Sequence, residues 1–220
     1  MAGGLLATAA ALSLVYGSLF GTDWRLTFPH LIAGILVWFL IAGVIGEATS
    51  LFIGAAGTMQ IQKLPLTFHV LLHMQRIAVN FVFQLGAFWL AVGILRVGAI
   101  PHWSLILGLP LLFFICFLIS MLIGIASARF RDIVFLTGFG LQMAFFVTPV
   151  FWNPEQMAPK KRFIAEMNPL WHMMELVRDP LLGRMPAATH WYWGLSVAAV
   201  LSVAALIILT LFRKRVVFWV

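Results

Sequence analysis

Five polar residues recur at helical spacing in an otherwise apolar stretch. They are His69, His73, Arg76, Asn80 and Gln84, at intervals of four, three, four and four residues. Residues three or four apart share one face of an α-helix, so the spacing predicts a helix with a polar stripe. Polar and charged side chains are costly in hydrocarbon, and we therefore expect the stripe to be buried, facing protein or a water-filled path.

Glu47 precedes this stripe and is the expected partner of Arg76 or His73, as an ion pair buried in a helical bundle. His69 and His73 also have the spacing of a metal-ligand pair. The HExxH pattern is absent and no third ligand lies nearby in the sequence, so we predict no metal site.

Motifs of enzymatic chemistry are missing from the sequence. No GxxxxGK[ST] phosphate loop, GxSxG nucleophile elbow or CxxC site occurs, and the acidic residues are few and scattered. We therefore expect no catalytic residues and no cofactor bound by this chain.

Composition then limits the class of protein. Hydrophobic residues make up 63% of the 220 residues and charged residues 10%, against about 45–50% and about 25% in soluble domains. Such a chain cannot build a water-facing surface, which excludes a soluble enzyme, and the same numbers exclude disorder. The single cysteine, Cys116, excludes a disulfide scaffold. The sequence predicts an integral membrane protein with one domain over residues 1–220.

Charge-free windows indicate where the chain crosses the membrane. A hydrocarbon core of about 30 Å needs roughly 20 apolar helical residues. The windows do not alternate polar and apolar residues as barrel strands do, so they predict an all-α membrane protein with six transmembrane helices. The six windows are Met1–Thr22, Leu26–Gly46, Ile77–Leu95, Val97–Ala128, Ile133–Pro154 and Met185–Phe212.

Basic residues in the loops predict the orientation. Six spans place both termini on one side, and that side carries more Lys and Arg in its short loops and tail, which indicates that both termini are cytoplasmic. The formal charge of +7 is then explained by topology, and we expect no nucleic-acid partner. The residues on the cytoplasmic side are Lys63, Arg129, Arg131, Arg213, Lys214 and Arg215, against Arg25 and Arg96 in the short outer loops.

Two cytoplasmic connections carry candidate contacts. The first is a short amphipathic segment, either an ordinary connecting loop or a surface helix that docks into a cytoplasmic partner. The second is a tight turn, for which the alternative interpretation is a positive-inside stop signal. The amphipathic segment consists of Met59, Gln60, Ile61, Gln62, Lys63, Leu64 and Pro65, and the inner turn contains Arg129, Arg131 and Asp132.

The outer connection between spans five and six is long and structured. Thr148-Pro149 interrupts the fifth span. Asn168-Pro169 is a strong helix start, because the Asn side chain accepts from free N–H groups and Pro has no N–H that would need a partner. We expect short re-entrant or interfacial helices here, with Arg178 and Asp179 near the outer mouth.

Together these stretches resemble the permease subunit of type-2 ABC exporters for polysaccharides, the O-antigen, capsule and teichoic-acid exporters. Order and spacing match over most of the chain. The resemblance is carried by residues 59–65, 128–132, 148–152, 168–170 and 175–183. Members of that family usually begin with a charged interface helix, and we expect it to be missing here because the sequence starts inside the first span.

The resemblance implies a transport subunit and not an enzyme. It implies a homodimer whose interface is the export path, in the bacterial inner membrane among its lipids, with two cytoplasmic ABC ATPase subunits that hold ATP and Mg. Residues 59–65 would be the coupling helix and the outer short helices the gate. The substrate would be a glycan on an undecaprenyl-pyrophosphate carrier. Aromatic faces can stack on its sugar rings, although packing or lipid contact accounts for them as well; they are Phe145, Phe146, Phe151 and Trp152.

Two other functions remain open at this point. A related type-2 ABC permease for drugs or lipids would use the same ATPase partner with a smaller substrate. An intramembrane enzyme or a stand-alone transporter would use the polar stripe and Glu47, and would need no ATPase.

Overall fold

The computed structural model describes residues 2–20, 24–61, 64–213 and 215–219, and all regular structure within these ranges is helical. The predicted all-α class is therefore confirmed. Three 3₁₀ turns accompany the α-helices, at Pro154–Gln156, Pro159–Lys161 and Val216–Phe218. The α-helices of the described ranges are α1 (Ala2–Phe20), α2 (Trp24–Ala48), α3 (Leu51–Gly54), α4 (Ala56–Ile61), α5 (Leu66–Leu95), α6 (Leu105–Arg129), α7 (Ile133–Val147), α8 (Phe163–Glu166), α9 (Pro169–Leu181) and α10 (Ala188–Phe212).

Four helical segments are long and apolar enough to cross a membrane within the described part of the chain. They are Thr27–Ala48, Leu66–Leu95, Leu105–Arg129 and Ala188–Phe212. The first and fifth predicted spans correspond to the shorter apolar segments Gly3–Val15 and Ile133–Val147. Length and composition thus support four of the six predicted spans.

The fifth window was predicted to continue to Pro154, and the structure ends α7 at Val147. Pro149 disfavours helical geometry in the residue before it, and Thr148 is extended, with ψ 136°. At 1.5 Å per residue the 15 residues of α7 rise about 22 Å, less than the hydrocarbon core.

Helix α2 lies at the centre of the bundle. It contacts α1, α5, α6, α7 and α9, and much of it is fully buried, including Ile32, Leu36 and Ile41. The outer helices instead expose large apolar side chains such as Val82, Leu90 and Val200. Apolar residues on the outside as well as the inside are typical of a protein surrounded by lipid, since lipid solvates them.

The two ends of the bundle differ in their short elements. The α4 end collects α3, α4, the α6–α7 turn and the 216–218 turn, where α2, α6 and α10 finish. The α9 end collects α8, α9 and the interrupted end of α7. These two ends hold the predicted coupling and gate segments respectively.

Candidate functional site

The polar stripe of α5 lines a groove against α2. At the α4 end the groove is a cavity of about 580 Å³, whose walls include Glu47, His69, His73 and Arg76. Glu47 also lines a second cavity of about 250 Å³ farther along the span, together with Asn80 and Gln84, so the two cavities lie on either side of Glu47. The predicted stripe therefore lines both cavities, which we call together the polar groove, and Phe39 and Phe81 are aromatic walls of the smaller one.

The expected ion pair is present in this groove. Arg76 donates through Nη2 to Glu47 Oε2 at 2.7 Å, and His73 Nδ1 lies 4.0 Å from the same oxygen. The prediction that the pair is buried is wrong for this chain, because the Arg76 side chain is 65% exposed and that of Glu47 36%. Both line the larger cavity and lie at the open side of the groove. Asn80 is also only partly buried, whereas His69, His73 and Gln84 are buried.

Buried polar atoms of the groove lack a hydrogen-bond partner in the described residues at His69 Nε2 and Gln84 Oε1. The His73 ring instead faces the Val44 carbonyl and the Glu47 carboxylate. A buried polar atom without a hydrogen bond costs about 1–3 kcal/mol. A polar occupant of the groove would gain those bonds. No group of three His, Cys, Asp or Glu side chains is placed to hold a metal in the described ranges.

The predicted coupling segment is helical at its start. Met59, Gln60 and Ile61 form the last turn of α4, and Gln62 and Lys63 lie outside the described residues. Met59 is buried, whereas Ile61 is 86% exposed and points an apolar side chain away from the bundle. Beyond the gap, Leu64 lines the large cavity and Pro65 is the extended N-cap of α5.

The predicted inner turn divides into two parts. Arg129 ends α6, and its guanidinium lies 5.4 Å from the centre of the Trp219 ring. Arg131 is exposed in the turn, and Asp132 is the N-cap of α7 without a side-chain capping bond. Arg129 therefore contacts Trp219, next to the 216–218 turn, whereas Arg131 and Asp132 are exposed in the turn between α6 and α7.

At the α9 end the structure brings four predicted gate residues together. Asn168 accepts from Leu170 N at 3.0 Å, which confirms the predicted cap, and donates through Nδ2 to Thr148 Oγ1 at 3.0 Å. Arg178 donates through Nη1 to the Pro149 carbonyl at 2.7 Å. The start and the last turn of α9 therefore both hold the interrupted end of α7. Pro169 occupies the first position of α9.

Two residues that the sequence did not single out complete this cluster. Glu175 pairs with Arg178 through both carboxylate oxygens, at 3.0 Å for Oε2 and by a shorter contact for Oε1. Trp171 donates through Nε1 to Glu175 Oε1 at 2.6 Å. Positions 171, 175 and 178 share one face of α9. This spacing is the feature of the sequence that could have identified the cluster. Arg178 is 1% exposed, so the pair lies inside the bundle.

The carboxyl groups of α9 respond to this burial in opposite directions. Burial raises the pKa of Glu175, but the adjacent Arg178 charge and its hydrogen bonds outweigh burial and hold that pKa below its usual value. Burial, aided by the Glu175 charge, raises the pKa of Asp179 to about 7. Asp179 and Glu175 line the same cavity of about 650 Å³ at the α9 end.

Two histidines of this cavity face each other. His172 Nδ1 lies 2.8 Å from His190 Nδ1, and His172 Nε2 lies 2.8 Å from the Glu166 carbonyl. Burial lowers the pKa of His172. The carbonyl requires a proton on His172 Nε2, so the neutral His172 accepts from His190.

The predicted path aromatics form a cluster at the end of α7. Phe151 lies 5.3 Å from Phe145 and 6.2 Å from Phe146 between ring centres. Trp152 donates through Nε1 to the Phe146 carbonyl at 3.2 Å. Phe146 is 62% exposed, so part of the cluster is available to an occupant outside the bundle.

Comparison with known proteins adds one match. The model of a protein family described as ABC-2 type transporter matches residues 4–182. That range contains α1 to α9 apart from the first residues of α1 and ends beside Leu181, the last residue of α9. None of the curated proteins compared with the chain matches it.

Proposed function

Because the chain belongs to the ABC-2 type transporter family, we propose that it is the membrane subunit of an ATP-driven exporter of lipid-linked polysaccharide. The family makes it a membrane permease and implies an ABC ATPase as partner. The proposed cargo is an O-antigen-like glycan that crosses the bacterial inner membrane. The observation that carries this proposal is the polar groove between α2 and α5.

The lining of the groove favours a hydroxylated cargo over an apolar one. A sugar hydroxyl taken into hydrocarbon without a partner costs several kcal/mol. The groove offers an amide oxygen and an imidazole nitrogen that lack hydrogen-bond partners in the described residues, at Gln84 and His69. Phe39 and Phe81 add apolar walls beside them, as ligand sites commonly do. An apolar drug or a lipid acyl chain gains little from such donors and acceptors.

The proposed assembly is a dimer with six spans in each chain and both termini in the cytoplasm. The α1 and α7 segments supply the two spans beyond the four long ones. In a dimer the open side of the groove, where Arg76 is exposed, can be closed by the second copy. The path then lies between the two chains.

The α3–α4 segment is proposed to couple ATP hydrolysis to this path. It connects the end of α2 to the start of α5, and these two helices carry Glu47 and Arg76. A displacement of α4 by the ATPase therefore shifts the two walls of the groove relative to each other. Such coupling requires that the ATPase contacts differ between inward and outward states.

The test is ATP hydrolysis by the chain purified together with its proposed ABC ATPase partner. We expect stimulation by undecaprenyl-pyrophosphate glycan and none by apolar drugs or by lipids without sugar. Gln84→Leu should reduce that stimulation, and Phe83→Leu, on the lipid-facing side of α5, is the matched control. Stimulation by drugs alone identifies a drug or lipid permease, and transport without the ATPase refutes an ABC exporter.

A further inference from the structure

A second groove, separate from the proposed path, opens between α6 and α10 at the α4 end. It has a volume of about 390 Å³, and its floor is apolar, formed by Leu122 and Ile125 of α6 and by Ile208 and Phe212 of α10. We call it the Arg129 groove. It lies where both spans finish, at Arg129 and Phe212, which is the depth of the lipid headgroups.

Two arginines stand at the mouth of the Arg129 groove. Arg129 and Arg215 both line it, and both are exposed. Among the residues that the structure describes, neither has a carboxylate within 4.0 Å, since the ion pairs found there involve Glu47 and Glu175. Within the described part of the chain, the groove therefore combines an apolar floor with two positive charges that no carboxylate compensates.

Arg129 is held in place at this mouth. Its guanidinium lies 5.4 Å from the centre of the Trp219 ring and 5.9 Å from that of Phe130. A guanidinium over an aromatic face keeps its N–H groups free at the edges. Those N–H groups match the oxygen atoms of a phosphate in geometry and charge.

From these observations we infer that the Arg129 groove binds an anionic phospholipid. One acyl chain lies along the floor between α6 and α10, and the headgroup phosphate pairs with Arg129 and Arg215. Charge complementarity selects this occupant, because basic pockets between spans at the headgroup depth suit anionic lipids. An uncharged lipid fills the floor without an anion for the arginines, and the cationic headgroup of a zwitterionic lipid is repelled by them.

The bound lipid would contact the element that supports the coupling segment. The 216–218 turn contacts both α4 and the end of α6, and Val216 in that turn is fully buried. Arg215 and Trp219 flank the turn on its two sides. A lipid that holds these two residues therefore fixes the turn on which α4 rests.

The experiment is native mass spectrometry of the purified full chain with dioleoyl phosphatidylglycerol or dioleoyl phosphatidylcholine. We expect tighter binding of phosphatidylglycerol, reduced about fivefold by Arg129→Gln and again by Arg215→Gln, the equivalent of about 1 kcal/mol for each cation. Arg213→Gln is the charge-matched control, since Arg213 is exposed and outside the groove. It should leave binding within twofold.

Further variants distinguish a bound lipid from a free phosphate and from a folding defect. The double change Arg129→Lys and Arg215→Lys keeps both charges and should retain most of the preference even if the Gln variants do not fold. Ile208→Trp fills the floor and should weaken binding with both arginines intact. Glycerol phosphate, which lacks acyl chains, should not compete. Equal binding of the two lipids, equal loss in Arg213→Gln, or competition by glycerol phosphate would each overturn the inference.

Discussion

Gly34 lies directly against the carbonyl oxygen of Val150. A Cβ added at position 34 would come within 2.5 Å of that oxygen and 3.2 Å of Arg178 Nη1. The central helix α2 thus approaches the interrupted end of α7 at backbone distance, and Arg178 fills the remaining space. Only glycine allows this contact between α2, the residues after α7, and α9.

Gly34→Ala is expected to destabilise the chain by about 1–3 kcal/mol, because the contacted atom is backbone and the bundle must shift. The measurement is the midpoint of thermal unfolding in detergent. Gly43→Ala is the matched control in the same helix, where an added Cβ meets nothing within 4 Å. That control should be neutral or slightly stabilising. Equal midpoints for the two variants would contradict the close approach.

Arg178→Gln is expected to cost about 3–5 kcal/mol, because it leaves the Glu175 carboxylate buried without its cation. It also removes the donor to the Pro149 carbonyl. Unfolding midpoint and yield of folded protein are the readouts. Arg184→Gln, an exposed arginine of the same cavity, should change either little. The double variant Arg178→Leu with Glu175→Leu should recover part of the stability that Arg178→Gln loses. If Arg178→Gln and the double variant both had the unfolding midpoint of Arg184→Gln, the buried pair would be refuted.

Asp179 should make stability fall as pH rises. Its pKa is raised from 3.8 to about 7 by burial, so between these values the folded chain binds more protons than the unfolded chain. Its contribution is complete below about pH 4 and is lost as pH rises to about 7. His172, whose pKa burial lowers, has the opposite effect below pH 6.5.

The Asp179 contribution is therefore measured as a difference. The unfolding midpoint of the wild type minus that of Asp179→Asn should decline from pH 4.5 to pH 7.5 and then level off. A difference that stays flat, or that increases with pH, would show that the carboxyl is not held protonated in the folded chain.

Ile61→Asp is expected to weaken association with the ATPase by about tenfold or more, since an apolar side chain of this size contributes about 1.5–3 kcal/mol when buried. Insertion into the membrane should be normal because Ile61 is 86% exposed in this chain. Co-purification with the ATPase and glycan-stimulated hydrolysis are the measurements. Ile100→Asp applies the same change to a residue 88% exposed in the α5–α6 loop. Normal coupling in Ile61→Asp would remove α4 from the docking surface.

Topology is tested by single cysteines at exposed positions. Gln60→Cys in α4 should react with a membrane-impermeant reagent only from the cytoplasm, and Lys160→Cys only from outside. The native Cys116 is buried and should stay unlabelled in intact membranes. The reversed labelling pattern would refute the proposed orientation.

Local rules in the sequence predicted part of this structure well. The Asn168 cap and Pro169 at the first position of α9 depend on neighbouring residues alone, and both are present. The spacing of His73 and Arg76 likewise brought them to Glu47. Helical periodicity is sufficient for such contacts because it fixes which face each side chain occupies.

Tertiary packing accounts for what the sequence missed. Hydropathy extended the fifth window through Pro149, although α7 ends at Val147. The burial of Glu175 follows from the packing of α9 against α2, α6 and α10, which periodicity within α9 does not reveal. The exposure of Arg76 was also unforeseen, since it depends on how far α2 and α5 separate at one end of the groove.

Helix α7 has no fully buried residue among its 15 positions, and its main contacts with the larger helices are those to α2 and α6. In hydrocarbon, apolar surface gains little from packing on protein instead of lipid. Tilting α7 away from the bundle therefore sacrifices few interactions along its length. The helix is then positioned mainly at its two ends, by the 130–132 turn to α6 and by the bonds of the following residues to Arg178 and Asn168. A displacement of α7 would therefore be transmitted to both α6 and α9.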